Sequence, residues 1–177
     1  INPLGEENSI MRTNMLSSVI KTLKINYNRR VPKAKIFELG MTYIPVENQK
    51  LPDEKIVVAL GMYGDVDFFD LKGIVQNLLD DLGIKNAEFE ADTESPAYHP
   101  GRCAKICAGG KIIGTIGQLH PDIAENFKLD TDIYCGELDF NTIMEFSTFE
   151  REYKSLPKFP ASNRDIALVI DLSLIHI

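Results

Sequence analysis

Residues 102–119 read RCAKICAGGKIIGTIGQL, two apolar runs of strand length that meet at a Gly-Gly pair. RCAKICA and KIIGTIGQL are spaced for strands, and the intervening GGK supplies the backbone freedom a tight hairpin requires. A hairpin commits its strands to antiparallel pairing. The rest of the chain is then read by asking which segments extend that sheet and which cover it.

From Ser9 to Tyr27, Ile10, Met11, Met15, Leu16, Val19, Ile20 and Leu23 recur at intervals of three and four, which predicts an amphipathic helix capped by Asn8 or Ser9, with Met11 and Met15 in its core stripe. Pro32 bars continuation, and KIFELGMTYIP sets Ile36 and Glu38 against Phe37 and Leu39, the alternation of a strand. KIVVALGMYG reads as a buried strand. DFFDLKGIVQNLLDDLGI places Leu71, Ile74, Val75, Leu78, Leu79 and Leu82 at helical spacing with Gly83 as the stop. KNAEFEAD is a further strand, HPDIAENFKL a short helix with Pro121 in its first turn, DIYCGELDF a strand, and NTIMEF a helix with Asn141 as its candidate cap. Strands often adjacent as hairpins, with helices between, predict an α+β fold in which helices pack on a mainly antiparallel sheet.

Composition narrows the function classes. A chain of 177 residues, 44% hydrophobic, has room for one domain or one domain and part of another. No apolar run approaches the roughly 18 to 20 residues of a membrane helix, and a cytoplasmic location is expected. Three cysteines do not suggest a secreted disulfide framework. A net charge of −7 argues against bulk attraction to a polyanion. The basic stretch of Arg29, Arg30, Lys33 and Lys35 reads first as a solvated connection that complements a helix C-terminus, with local nucleic-acid contact as the other reading.

The residue types that carry chemistry do not converge. His99, Cys103 and Cys107, with His120 and Cys135 from elsewhere, are zinc-ligand types, but four strand steps of about 3.3 Å put Cys103 and Cys107 roughly 13 Å apart, too far to share one metal. No nucleophile elbow is present, and the glycines of GGKIIGTIG lack the Lys-Ser or Lys-Thr pair of a phosphate loop. Asp80 and Asp81, adjacent on a helix, point about 100° apart. They and Glu6-Glu7 read as solvated faces. Spacing and composition stop at a soluble α+β domain, with a second beginning near the C-terminus, where Ile166, Leu168 and Ile170 alternate.

The stretches NPLGEENSIMRTNML, IFELGMTYIP, DFFDLKGIVQNLLDDLGI, YHPGRCAKI, IGTIGQLHP, GELDF and LPKFPASNRDIALVID, in this order, resemble the β subunit of bacterial phenylalanyl-tRNA synthetases. The resemblance implies a catalytic-like module on an antiparallel class II synthetase-like sheet over residues 1–150, incomplete at its N-terminus. It implies a linker and the first strand of a truncated ferredoxin-like anticodon-binding domain over 151–171. Residues 172–177, LSLIHI, do not continue the pattern and read as translated adapter, so His176 carries no function.

The resemblance also predicts what is missing. A working class II site needs a motif 2 arginine and a motif 3 arginine, forked and always charged, for phosphate and carboxylate oxygens. Aligned by eye, Ile44 stands at the first position, Val46 at that of the following acid, and Thr142 near the second. The chain is therefore expected to have no catalytic, cofactor or metal residues of its own. ATP and magnesium serve the whole enzyme, and catalysis belongs to the α subunit in an (αβ)2 heterotetramer that binds phenylalanine tRNA. The Ser9 to Tyr27 helix is read either as part of the α-subunit interface or as wholly internal. Lys158 and Arg164 are read either as tRNA contacts or as supports of the fold. Two other functions compete: a free-standing adenylate-forming enzyme, and a binding or regulatory module detached from aminoacylation.

Overall fold

The computed structural model describes residues 5, 9–150, 153 and 164. Its elements follow in the order α1 (Leu16–Asn28), β1 (Ala34–Ile44), β2 (Asp53–Tyr63), α2 (Phe68–Asp81), β3 (Glu88–Ala91), β4 (Tyr98–Ala108), β5 (Lys111–Leu119), α3 (Pro121–Asn126), β6 (Ile133–Asp139) and α4 (Phe140–Phe146). The hairpin read from residues 102–119 is β4–β5. Ala108 pairs with Lys111, so the turn is the two residues Gly109 and Gly110, both at positive φ. Such a turn matches the right-handed twist of its strands, which is why it takes glycine.

All six strands join one antiparallel sheet in the order β1-β2-β6-β5-β4-β3. Each face carries a core. On one, Met15, Val19, Ile20 and Leu23 pack over Ala59, Tyr63, Cys103 and Cys135. On the other, Leu71, Val75 and Leu79 of α2 and Ile143 of α4 pack over Leu60, Ile106, Ile116 and Leu138. The period-two alternation of the strands sends successive side chains to these two cores.

Close approach of α1 to the sheet is set by glycine. A side chain at Gly61 would collide with Val19 and press on Leu23. The C-termini of α1, α2 and α3 close alike. Arg30, Gly83 and Lys128 sit at positive φ and donate backward to Tyr27, Asp80 and Glu125. Val31, Ile84 and Leu129 donate to Asn26, Leu79 and Ala124, completing Schellman motifs. Only Gly83 announces its role in the sequence.

Three expectations are corrected. The first helix starts at Leu16 rather than Ser9: Met15 stands at its N-cap position, Asn8 lies outside the described residues, and residues 9–14 lead in along the edge of β1, where Tyr43 N–H donates to the Arg12 carbonyl at 2.9 Å. Consequently Met15 is fully buried, whereas Met11 is 58% exposed and outside the core stripe. The last helix is capped by Asp139, which accepts from Thr142 N–H at 2.8 Å, so Asn141 lies inside it. Residues 151–171, read as linker and first strand of a second domain, and the 172–177 tail lie outside the described residues, apart from Tyr153 and Arg164.

Candidate functional site

On the sheet face that α1 covers, the helix stops short of the strand ends and leaves a cleft of about 520 Å³. Thr42 and Ile44 of β1, Lys55 and Val57 of β2, Glu137 and Asp139 of β6, and Tyr98 of β4 line it. Ile44 is the last residue of β1, paired with Asp53. An arginine there would aim a charged fork into the cleft, whereas Ile44 offers only methyl and methylene groups.

The two carboxylates of the cleft are already engaged. Glu137 Oε1 accepts from the backbone N–H of Met15 and from that of Leu16 at 3.1 Å, so a β6 side chain caps α1. Burial pushes the Glu137 carboxyl above its ordinary range, and these two N–H bonds oppose the rise. Asp139 is held by the first turn of α4. Lys55 is the single cation among the lining residues. A polyphosphate would meet one ammonium and two carboxylates, the wrong balance for holding it.

The other predicted positions separate. Val46 starts the turn after β1, where its carbonyl accepts from Gln49 N–H at 3.2 Å, outside the cleft lining. Thr142 touches the cleft only through its bond to Asp139. Cys103 and Cys135 both stand opposite Gly117 from neighbouring strands and are buried. Burial pushes the Cys103 thiol up to about 11 and that of Cys135 higher still, so both remain protonated at neutral pH. His99 Nδ1 accepts from Gly101 N–H and His120 Nδ1 from Asp122 N–H, local turn and cap contacts. Among the described residues no group of three His, Cys, Asp or Glu side chains is placed to hold a metal. Arg164 is exposed, while Lys158, Glu6 and Glu7 lie outside the described residues.

Of the two readings of the first helix, the geometry favours the internal one, since Val19, Ile20 and Leu23 are spent on the chain's own core. An uncovered apolar row lies on β1, one of the two edge strands of the sheet. Phe37 is 77% and Leu39 55% exposed, and Met41 continues the row. Because Tyr43 turns its N–H outward to Arg12, the backbones of Phe37 and Leu39, of the same parity, also face the outer edge. Arg12 guards the other end: its Nε donates to the Met41 carbonyl at 2.9 Å and its guanidinium pairs with Glu38 at 2.9 Å.

Sequence reasoning missed Glu137 and Arg12. The signal for Glu137 was present, an acid inside the apolar strand IYCGELD ahead of its terminal Asp139, where a buried charge demands donors.

Among protein families, the phenylalanyl tRNA synthetase β chain CLM domain matches residues 1–140. The chain is 43% identical over 171 residues to the phenylalanine–tRNA ligase β subunit of Clostridium acetobutylicum and 42% identical over 171 residues to that of Clostridium tetani, in each case across 96% of the chain and 22% of the relative. The corresponding subunit of Symbiobacterium thermophilum is 40% identical over 185 residues, 98% of this chain and 21% of that one. The chain thus spans about a fifth of the length of the relatives it matches. In fold it is similar to a pyrrolysyl tRNA synthetase of Desulfitobacterium hafniense, with a TM-score of 0.63 at 12% identity over 75% of this chain and 48% of that one.

Proposed function

Because this chain belongs to the phenylalanyl-tRNA synthetase β-chain family, we propose that it is a non-catalytic scaffold of phenylalanine–tRNA ligase, the enzyme that joins phenylalanine to its tRNA at the expense of ATP. The observation that carries the non-catalytic part is the cleft at Ile44. Its lining presents apolar side chains where a nucleotide needs forked cations, and its carboxylates serve as helix caps. ATP and magnesium therefore act elsewhere in the whole enzyme, on the α subunit, and no step of the reaction is assigned to this chain.

The partner is the α subunit, within an (αβ)2 heterotetramer located in the cytoplasm. The apolar row of β1 supports a docking surface there, because Phe37, Leu39 and Met41 lie uncovered together along one edge strand. An exposed, apolar strand edge is a liability for a free protein and an asset for an assembled one. On the family reading, residues 151–171 belong with an anticodon-binding domain of ferredoxin-like fold, in which Lys158 and Arg164 serve either as contacts to phenylalanine tRNA or as supports of the fold.

The test is co-expression of the full chain with the cognate α subunit, followed by size-exclusion chromatography with light scattering. A stoichiometric complex is the expected result. A folded monomer that ignores the α subunit removes the scaffold reading. ATP–pyrophosphate exchange by the chain alone would overturn the non-catalytic one.

A further inference from the structure

Residues of an antiparallel edge strand turn their N–H and C=O groups alternately toward the neighbouring strand and away from it. β1 pairs with β2 in unbroken register from Ala34 to Ile44, so Lys35, Phe37, Leu39 and Met41 share the outward parity of Tyr43. Arg12 occupies the far end of that edge: its carbonyl takes the Tyr43 N–H and its Nε donates to the Met41 carbonyl. Among the described residues no hydrogen bond reaches the outward groups of Lys35, Phe37 and Leu39. The side chains tell the same story. Phe37 lies opposite Leu60 and Leu39 opposite Val58, and both partners belong to the core under α2, which therefore runs out to β1 and stops there uncovered.

The approach to this edge is basic. Arg29 and Arg30 close α1, Lys33 and Lys35 lead into the row, and all four are exposed. Among the described residues no acid stands within ion-pair distance of any of them. In a chain of net charge −7, such a cluster selects an acidic neighbour. Lysine set within an edge row bars a second strand. Here the cations gather at one end and leave Phe37, Leu39 and Met41 uninterrupted, so they fix the register of an incoming strand. A helix laid over the row would bury the side chains and leave the backbone groups of Phe37 and Leu39 without partners, whereas a strand answers both.

We propose that β1 takes up an extended, acidic-ended segment of the α subunit as an added strand. The segment is hydrogen-bonded to Lys35, Phe37 and Leu39, its apolar side chains continue the row, its acidic end faces Lys33 and Lys35, and Arg12 marks where the pairing stops. This inference rests on the scaffold reading and adds to it the mode of docking and the chemistry of the docked segment.

Biolayer interferometry of the full chain against the cognate α subunit tests it. Leu39→Pro deletes an N–H that faces away from β2, so the β1–β2 ladder is spared, while Leu39→Ala removes the side chain alone. The proline variant is expected to weaken binding at least about tenfold beyond the alanine variant. Lys33→Glu combined with Lys35→Glu is expected to weaken it by a similar factor at low salt, with a deficit that narrows as salt rises. Melting temperatures report whether the variants fold. Should Leu39→Pro not fold, amide hydrogen exchange in the wild-type complex decides, with slowed exchange at Phe37 and Leu39 expected. Equal losses for proline and alanine, unchanged exchange at those amides, or indifference to the charge reversal would each overturn the added strand and leave the scaffold reading standing. A wild-type chain that does not bind the α subunit overturns both.

Discussion

At the scale of single residues, two side chains make the argument testable. Arg30 closes α1 at φ 59, a conformation that costs an L side chain and suits glycine. Arg30→Gly relieves that strain while adding backbone entropy to the unfolded chain, and the net expected gain is about 0.5 to 1 kcal/mol, read as a raised urea midpoint. Glu137 works in the opposite sense. Its carboxyl titrates above the ordinary 4.5 in the fold, chiefly through burial, so the native state holds a proton that the unfolded chain releases. Stability must therefore fall as pH rises from about 4.5 through the raised folded value. Glu137→Gln keeps an oxygen for the α1 N–H groups and removes the titration, so its stability is expected to stay level across that window in urea melts at stepped pH.

At the scale of elements, the sheet depends on strands that approach more closely than side chains allow. Gly114 of β5 pairs with Leu138 of β6, and a Cβ there would run into the Glu137 carbonyl oxygen and press on the Leu138 backbone. Gly114→Ala is expected to cost about 3 kcal/mol or more, since the obstacle is backbone and cannot rotate away. Thermal unfolding measures it, with Gly73→Ala as the counterpart: Gly73 sits inside α2 with open space at its Cβ position, so that change is expected to stabilise by up to about 1 kcal/mol. The contrast between the two glycines was hidden in the sequence, because what a Cβ would meet at each depends on the neighbouring strand or on open solvent rather than on adjacent residues. The helix starts were hidden for a similar reason. The residue that caps α1 is Glu137, more than a hundred positions away from it, and local pattern reading looks only a few positions upstream.

At the scale of the whole molecule, one sheet shares its two faces between two cores and leaves the apolar row of Phe37, Leu39 and Met41 uncovered on the edge strand β1. Replacing Phe37 and Leu39 together by lysine places charges where solvent already reaches, so the melting temperature of the chain is expected to move by only a few degrees. The same double variant is expected to lose its complex with the α subunit in light scattering. Retained assembly would move the interface off β1, whereas a collapse of the fold would mean the row is covered within the chain.

The sequence by itself determined the elements and their kind: strands by alternation or short apolar runs, helices by three-and-four spacing, a hairpin by Gly109-Gly110, and a C-terminal stop at Gly83. It also carried family membership. These are local properties, set by steric and apolar periodicity within a few residues. Only the tertiary structure decided that Met15 is core and Met11 is not, that Glu137 caps a helix far away in sequence, and that Phe37 and Leu39 of β1 stay uncovered while Val19, Ile20 and Leu23 of α1 are buried. Strand order and the choice of which face each helix covers set these outcomes, and both depend on long-range pairings whose energies no single stretch of sequence contains.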